Sequence, residues 1–291
     1  MKQLIQLTIW LMIFSGSVWG SGHIVDVSQT DTQIDLLNTI EVVRMSEDSQ
    51  LSTVQQHANW QHWTQSSPLK SSEALWGRHS FYFQGDSTTR FTFVIGNANL
   101  DYVDIYLLDP RGRILSSVMT GSHRPFSNRQ FDYREFALSF EMEPGDQFAM
   151  YFRIKDDGPL VFSTDLWKTT GLIANEQGNL TFIGAFTGAL LVLACYFLVT
   201  YILLHSPVRF WFAVSNLAFV LMFLNVEGSL GQLTGFTAFM SSTTTILLAL
   251  AIFCAGKVSH AILSNVPAYW RYVTYSCSFL LLLIATVFSA Y

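Results

Sequence analysis

Formal charge is scarce in this sequence of 291 residues, and it is unevenly placed. Only 13% of the residues are charged, although half are apolar. Of the 16 basic and 21 acidic residues, 12 and 20 respectively lie between Ser21 and Gly178. The acidic excess of that segment argues against a nucleic-acid binder, because such proteins present basic surfaces. The scarcity of charge after Gly178 predicts an exported soluble part joined to a membrane part.

Cysteine and catalytic signatures are also scarce. The three cysteines, Cys195, Cys254 and Cys277, all lie in apolar runs, so no disulfide framework stabilises the segment before Gly178. The sequence has no G-x-S-x-G, H-E-x-x-H or C-x-x-C motif, and no nucleophile–base arrangement stands out. We therefore expect a protein that is not an enzyme and that holds no metal and no cofactor.

The N-terminus is organised like a secretory signal. Lys2 supplies the positive charge, Leu4 to Phe14 form an apolar stretch, and Gly20 suits a cleavage site. About eleven apolar residues are few for a bilayer span, which needs roughly 20. A signal peptide over residues 1–20 is therefore predicted, with an uncleaved anchor as the alternative. In either case the segment that follows is exported.

The second half of the sequence contains four apolar stretches, at about residues 182–204, 209–228, 237–256 and 271–291. The first, third and fourth are long enough to cross roughly 30 Å of hydrocarbon, and the second needs flanking residues to do so. Basic residues occur in the loops after the first and third stretches, whereas the loop after the second has none. This positive-inside pattern predicts a multi-pass protein whose N-terminal segment lies outside.

Period-two alternation of apolar and polar residues predicts β-strands before the spans. It is clearest in YVDIYLLD, FALSFEM and FAMYFRIK, which begin at Tyr102, Phe136 and Phe148, and a further strand is expected near Ile40 to Arg44. The turn sequences DPRG, EPGD and DDGP separate such stretches. This pattern is typical of an antiparallel β-sandwich. We predict a mixed architecture, with an exported all-β, jelly-roll-like sandwich over residues 24–170 before an α-helical transmembrane bundle.

Several stretches, taken in order, resemble one family of bacterial receptors. They are ALWGRHSFYF, LDYVDIYLLDPRGRI, TGSHRPFSNRQFDYREFALSF and EPGDQFAMYFRIKDDGPLVFSTDLW in the exported half, and FIGAFTGALLVLACYFLVTYILL in the membrane half. The exported stretches are similar to the type 2 extracellular sensory domain of the seven-transmembrane receptors with diverse intracellular signalling modules (7TMR-DISM). The membrane stretch is similar to the start of that family's seven-helix unit. The resemblance implies a bacterial inner-membrane protein with a periplasmic N-terminal domain.

The resemblance also implies a function, that of a receptor input module. Its sensory domain would bind a small extracytoplasmic ligand, with a sugar as one candidate, and signal through the helices to a cytoplasmic effector of the diguanylate cyclase or histidine kinase type. The family has seven spans before its effector, whereas this sequence stops within LLLLIATVFSAY, so a truncated receptor is expected. The alternative is a membrane-anchored periplasmic binding or scaffold module without signalling output. The family's outputs also imply a homodimer.

Three candidate ligand-binding residues lie in the turn-rich stretch GSHRPFSNRQF. Arg124 and Arg129 provide forked donors that suit a carboxylate or a diol, and the ring of Phe126 suits the face of a sugar. The alternative is that the two arginines pair with acidic neighbours such as Asp132 or Asp101 and fix the loop.

Three more candidates, Tyr151, Arg153 and Trp167, lie on strand faces opposite the core and are predicted to line a ligand face together. The alternative is that this face packs on the membrane half, or that Trp167 couples the domain to the first span. Glu227, the one acidic residue after Gly178, is predicted to be a solvated loop residue rather than a proton relay.

Overall fold

The structure is a computed structural model. It describes residues 24–27, 32–63, 69–70, 72–158, 160–234 and 240–262, and, further on, residues 269, 272–273, 276–277 and 279–280. The predicted signal peptide and most of the fourth predicted span lie outside the described residues. The chain divides into two compact units. The first contains the residues up to Gly96, Leu100–Thr120 and Phe136–Thr169, and the second contains Asn97–Asn99, Gly121–Glu135 and the residues from Thr170 onward.

The first unit consists mainly of β-strands, with one short helix, α1 (Leu51–Gln55). Its strands are β1 (Ile24–Asp26), β2 (Gln33–Asp35), β3 (Glu41–Ser46), β4 (Gln61–His62), β5 (Glu73–Tyr82), β6 (Thr89–Ile95), β7 (Tyr102–Leu108), β8 (Ile114–Thr120), β9 (Phe136–Met142), β10 (Gln147–Lys155) and β11 (Thr164–Lys168). A seven-stranded sheet has the order β4-β3-β5-β10-β7-β8, and β1 pairs with β5 at its side. A four-stranded sheet has the order β2-β11-β6-β9.

The two sheets bury their inner faces in one apolar core. Ile105 and Phe152 of the seven-stranded sheet lie in the same buried cluster as Phe93 and Leu138 of the four-stranded sheet. The strands predicted from period-two alternation are confirmed as β7, β9 and β10, and the strand expected near Ile40 is β3. All the pairings are antiparallel except that of β1 with β5. Alternation along a single strand gives no sign of the parallel pair, because it does not show which strands lie side by side.

Close packing in this core depends on one glycine. Gly77 in β5 pairs with Phe152 in β10, and a Cβ atom at Gly77 would lie 2.2 Å from Cζ of that ring. Real Cβ atoms do not approach so closely, and the phenylalanine has no space to withdraw because it is fully buried. The ring therefore fills the volume that a side chain at position 77 would occupy.

The helices of the chain after β11 are α2 (Thr169–Leu204), α3 (Pro207–Val226), α4 (Ser229–Thr234) and α5 (Met240–Ile262). Among the described residues, α2 and α3 are long and apolar enough to cross a membrane, and the apolar part of α5, Ile246–Ser259, is shorter. The structure thus shows two membrane-length helices where the sequence predicts four spans. Ser and Thr residues fill the first turns of α5, which shortens its apolar part.

Helix α2 begins immediately after β11 and not near residue 182, where its apolar stretch begins. Hydropathy marks only the part of a helix that lipid can surround, so the polar first turns of α2 were not predicted. Thr169 fixes this start, since its hydroxyl donates to the carbonyl of Arg90 and lies 2.9 Å from the hydroxyl of Thr92. The strand and the helix therefore follow one another without a linker.

Candidate functional site

The loop between β8 and β9, Gly121–Glu135, contains three of the predicted ligand-binding residues. It includes a 3-10 turn at Phe126–Asn128. Arg129 folds back over it, with its guanidinium carbon 4.3 Å from the centroid of the buried Phe126 ring. Arg124 is half-buried in the same loop, and its backbone N–H donates to the carbonyl of Gly121 at 3.2 Å. The structure therefore brings all three residues together in one loop.

The guanidinium of Arg129 stabilises the backbone of this loop. Its Nη1 donates to the carbonyl oxygens of Tyr133, at 2.7 Å, and of Arg134, at 2.6 Å. Burial lowers the pKa of Arg129 to about 10, which still leaves it charged at neutral pH. These contacts fix the loop through its carbonyl groups, which agrees with the loop-fixing alternative, and the nearby carboxylate of Glu135 acts to raise the pKa of Arg129. Such contacts depend on backbone conformation, so composition gives no sign of them.

Replacing Arg129 by alanine should destabilise the loop by about 2 kcal/mol, because buried carbonyl groups would lose their donor. Arg129→Lys should retain part of this stability, since an ammonium group can donate to the same carbonyl oxygens but lacks the planar contact with the Phe126 ring. The measurement is the melting temperature of the full chain in detergent. A purely ligand-binding Arg129 would give unchanged melting in both variants.

The neighbouring Arg134 joins the loop to two helices of the same unit. Its Nε donates to Glu176 of α2 at 3.0 Å, and its Nη1 donates to Glu227, just after α3, at 2.7 Å. The side chains of Arg134, Glu176 and Glu227 are 12%, 13% and 32% exposed. Burial alone would lower the pKa of Arg134, but the nearby carboxylates of Glu176 and Glu135 raise it. Glu227 lies in the turn after α3, as predicted, but it is half-buried and pairs with Arg134, so it is not fully solvated.

Backbone contacts place the same loop against the end of α3. Gly228 has a φ of +75°, and a Cβ atom there would lie 2.4 Å from Cβ of Ala98 and 2.9 Å from the carbonyl oxygen of Arg134. Asn99 donates to the carbonyl of Val226 at 3.2 Å. Only glycine satisfies both the left-handed backbone and this close approach.

Gly228→Ala should therefore loosen the loop, at a cost of about 2 kcal/mol from backbone strain and crowding. Hydrogen exchange of peptides that cover residues 121–135, measured on the full chain in detergent, should become tenfold faster or more. Gly178→Ala is the matched control, because a Cβ atom at Gly178 meets nothing within 4 Å. Equal exchange in both variants would show that the approach at Gly228 is unimportant.

The outer face of the seven-stranded sheet carries a second group of aromatic and charged residues. Trp76 and Tyr106 stack with their ring centroids 6.1 Å apart. Arg78 pairs with Glu41 at 2.6 Å and lies 4.4 Å over the ring of Trp60. An outward face of this kind is unusual, because a sandwich strand normally shows polar side chains to water.

Tyr151 and Arg153, two of the predicted residues, lie on this outer face in β10. Tyr151 contacts Trp60 edge-on, with 6.0 Å between ring centroids, and burial raises the pKa of its hydroxyl. Arg153 donates to Asp104 at 2.9 Å and to the backbone carbonyl of Glu47 at 2.8 Å. Trp167 lies in β11 of the other sheet. A common face that includes both Arg153 and Trp167 therefore does not form, because the chain changes sheets between β10 and β11.

A cavity of about 250 Å³ opens on the same outer face, beside Tyr151. It is lined by Tyr151, Ala149 and Ser80 of the sheet, by Gln55 of α1 and by the β7–β8 turn around Arg111. Gln55 donates to the carbonyl of Gly112 at 3.2 Å and so joins α1 to that turn. Of these lining residues only Tyr151 is among the predicted ligand-binding residues, since the strands, the helix and the turn that line the cavity become neighbours only through long-range folding.

Comparison with known proteins identifies the sandwich. The sequence model of the family described as 7TMR-DISM extracellular 2 matches residues 39–168. No curated protein matches the sequence at a significant level. Among solved structures, the chain is similar to the pre-peptidase C-terminal domain of a collagenase from Bacillus anthracis, with 11% identity and a TM-score of 0.22, over 50% of this chain and 94% of that chain.

A second similar structure is the GH31 alpha-xylosidase of Xanthomonas citri, with 10% identity and a TM-score of 0.23, over 49% of this chain and 17% of that chain. Likeness at these TM-scores assigns neither a fold nor a function. The family match, by contrast, includes every strand from β3 to β11, and the membrane-length helices α2 and α3 come directly after it. Residues 39–168 thus match the type 2 extracellular domain of the 7TMR-DISM family, and the two membrane-length helices that follow them are those expected of a membrane protein.

Proposed function

We propose that this chain is the input module of a membrane receptor. The extracellular domain binds a small extracytoplasmic ligand, and the helices pass the signal to a cytoplasmic effector. By the family resemblance, that effector is of the diguanylate cyclase or histidine kinase type. The same resemblance and the loop charges favour four spans within this sequence, a bacterial inner membrane and a periplasmic sensory domain. The chain itself is not an enzyme, and a homodimer is its expected assembly.

The ion pairs of Arg134 are the observation that best supports signalling rather than simple anchoring. They connect the β8–β9 loop to Glu176 of α2 and to Glu227 after α3. A ligand changes a receptor's state only if it binds one state more tightly than the other. The β8–β9 loop is joined to two helices by half-buried charges, so moving the loop would change the partners of three charged groups. Two positions of the loop would therefore be two distinct states, and a ligand could bind one of them more tightly. An anchored scaffold does not need this connection.

Cysteine labelling tests the proposal in the full chain. In bacterial membrane vesicles, the maleimide labelling rates of Cys195, which is exposed on α2, and of Cys254, which is buried on α5, should change when a ligand binds. The probes are neutral and acidic monosaccharides, and their binding is measured separately on the same vesicles. If a probe binds and both labelling rates stay constant at every concentration, the chain is an anchored binding module.

A further inference from the structure

The cavity beside Tyr151 is enclosed by two segments that are far apart in the sequence. Gln55 and Gln56 come from α1, and Pro110 to Gly112 form the turn between β7 and β8. The hydrogen bond from Gln55 to the carbonyl of Gly112 holds them together. The sandwich core does not require this arrangement, since Val54 alone of α1 is buried. The arrangement of α1 and the β7–β8 turn that encloses the cavity is therefore additional to the packing of the core.

The charges around the cavity leave one cation available to a ligand. Asp109 is occupied, because its Oδ1 accepts the backbone N–H groups of Arg111 and Arg113 and its Oδ2 accepts Nε of Arg113. Arg78 is balanced by Glu41. In the part of the chain that the structure describes, no carboxylate pairs with the exposed guanidinium of Arg111. The local field therefore favours an anion at the turn.

The size and chemistry of the lining restrict the ligand further. About 250 Å³ lies below the usual range for drug-sized ligands, so a single small ring fits. Tyr151 and Ala149 offer apolar surface to the face of such a ring. Ser80 and Gln55 offer hydroxyl and amide groups to its hydroxyls, and a free guanidinium suits a carboxylate.

We propose that this cavity binds a monosaccharide that bears a carboxylate, with Arg111 as its anion contact. The proposal rests on the receptor function proposed above, since it gives the ligand class and the site for that function. Tyr151 contacts the ring face, and the side chains of Gln55 and Ser80 meet its hydroxyl groups. Arg124, Phe126 and Arg129 lie in a different loop and do not take part.

Calorimetry on the full chain in nanodiscs tests the site, with D-galacturonate and D-galactose as probes. Galacturonate should bind at least tenfold more tightly than galactose. Arg111→Gln should remove that preference, so that galacturonate binds no more tightly than galactose, while the turn keeps its fold because the backbone N–H of residue 111 still donates to Asp109. Arg90→Gln, an equal loss of charge on the exposed Arg90–Glu141 pair of the other sheet, is the control and should change neither affinity.

Ala149→Phe provides a second test, since it puts a large ring in place of a small lining side chain and should abolish binding of both probes. Equal affinities for the two probes, or a galacturonate preference that persists in Arg111→Gln, would overturn the assignment of Arg111. No binding of either probe would overturn the site. Binding without any change in the labelling of Cys195 and Cys254 would leave the site standing and overturn the receptor function instead.

Discussion

Replacing His79 by phenylalanine should remove most of the acid sensitivity of the sandwich. His79 points into the core from β5, is 3% exposed, and lies among the rings of Phe81, Phe93 and Phe152. Neither ring nitrogen has a hydrogen-bond partner among the described residues. Burial lowers the pKa of His79 from 6.5 to about 3, because a charged imidazole cannot be solvated there.

The direction of the pH effect follows from this pKa. The unfolded chain takes up the proton near pH 6.5, whereas the folded chain does so only near pH 3. Stability is therefore complete above pH 6.5 and falls steadily as the pH drops toward 3. At pH 5 the free energy of unfolding is about 2 kcal/mol lower than at pH 7.5, since each pH unit below the unfolded-state pKa of 6.5 costs about 1.4 kcal/mol.

Urea titration of the full chain in detergent, followed by near-ultraviolet circular dichroism, measures this loss. The comparison between His79→Phe and the wild type isolates the contribution of one group from that of the carboxylates. His62→Gln is the control and should keep the wild-type pH dependence, because that imidazole is exposed. If the free energy of unfolding falls equally with pH in His79→Phe and in the wild type between pH 7.5 and 5, His79 is solvated or paired.

His79 also illustrates what the sequence could and could not predict. Alternation in YVDIYLLD and FALSFEM predicted β7 and β9, because each strand buries one side of its pleat. The same alternation within β5 places His79 on the side of Leu75 and Phe81, but it does not show that the imidazole lacks a hydrogen-bond partner there. Which residues surround His79 depends on how β5 pairs with β10 and packs on β6, which is long-range information.

The candidate site was predicted only where it lies within one segment. Arg124, Phe126 and Arg129 are close in sequence, and the structure places them in one loop. The cavity combines α1 with the β7–β8 turn, which are more than fifty residues apart in the chain, as the hydrogen bond from Gln55 to Gly112 shows. No local pattern joins such segments.

The partners of Arg134 had one visible signal. Glu227 is the only acidic residue after Gly178, and a lone charge next to an apolar span needs either water or a partner. The sequence favoured water because it could not show that the β8–β9 loop contacts this helix end. Arg134 itself lies in the stretch YRE, where acidic and basic neighbours look locally balanced. Its actual partners, Glu176 and Glu227, are 42 and 93 residues away in the chain.

Removing the charge of Arg134 should release the β8–β9 loop from the helices. Arg134→Gln leaves the carboxylates of Glu176 and Glu227 half-buried and without their shared cation, at a cost of about 2 kcal/mol. Trypsin cleavage after Arg129 reports the release, since that side chain is held by loop carbonyls until the loop opens. Cleavage of this bond in membrane vesicles, followed by mass spectrometry, should be about thirtyfold faster.

A second substitution separates electrostatics from lost packing. Glu227→Gln added to Arg134→Gln should recover part of the slow cleavage, because one uncompensated carboxylate is then removed. Arg90→Gln breaks an exposed pair, with side chains 62% and 57% exposed, and should change cleavage less than about threefold. If Arg134→Gln also stays within threefold of the wild type, the ion pairs do not hold the loop. The proposed signal route from the β8–β9 loop to α2 and α3 would then lose its physical basis, and the anchored-module function would be favoured.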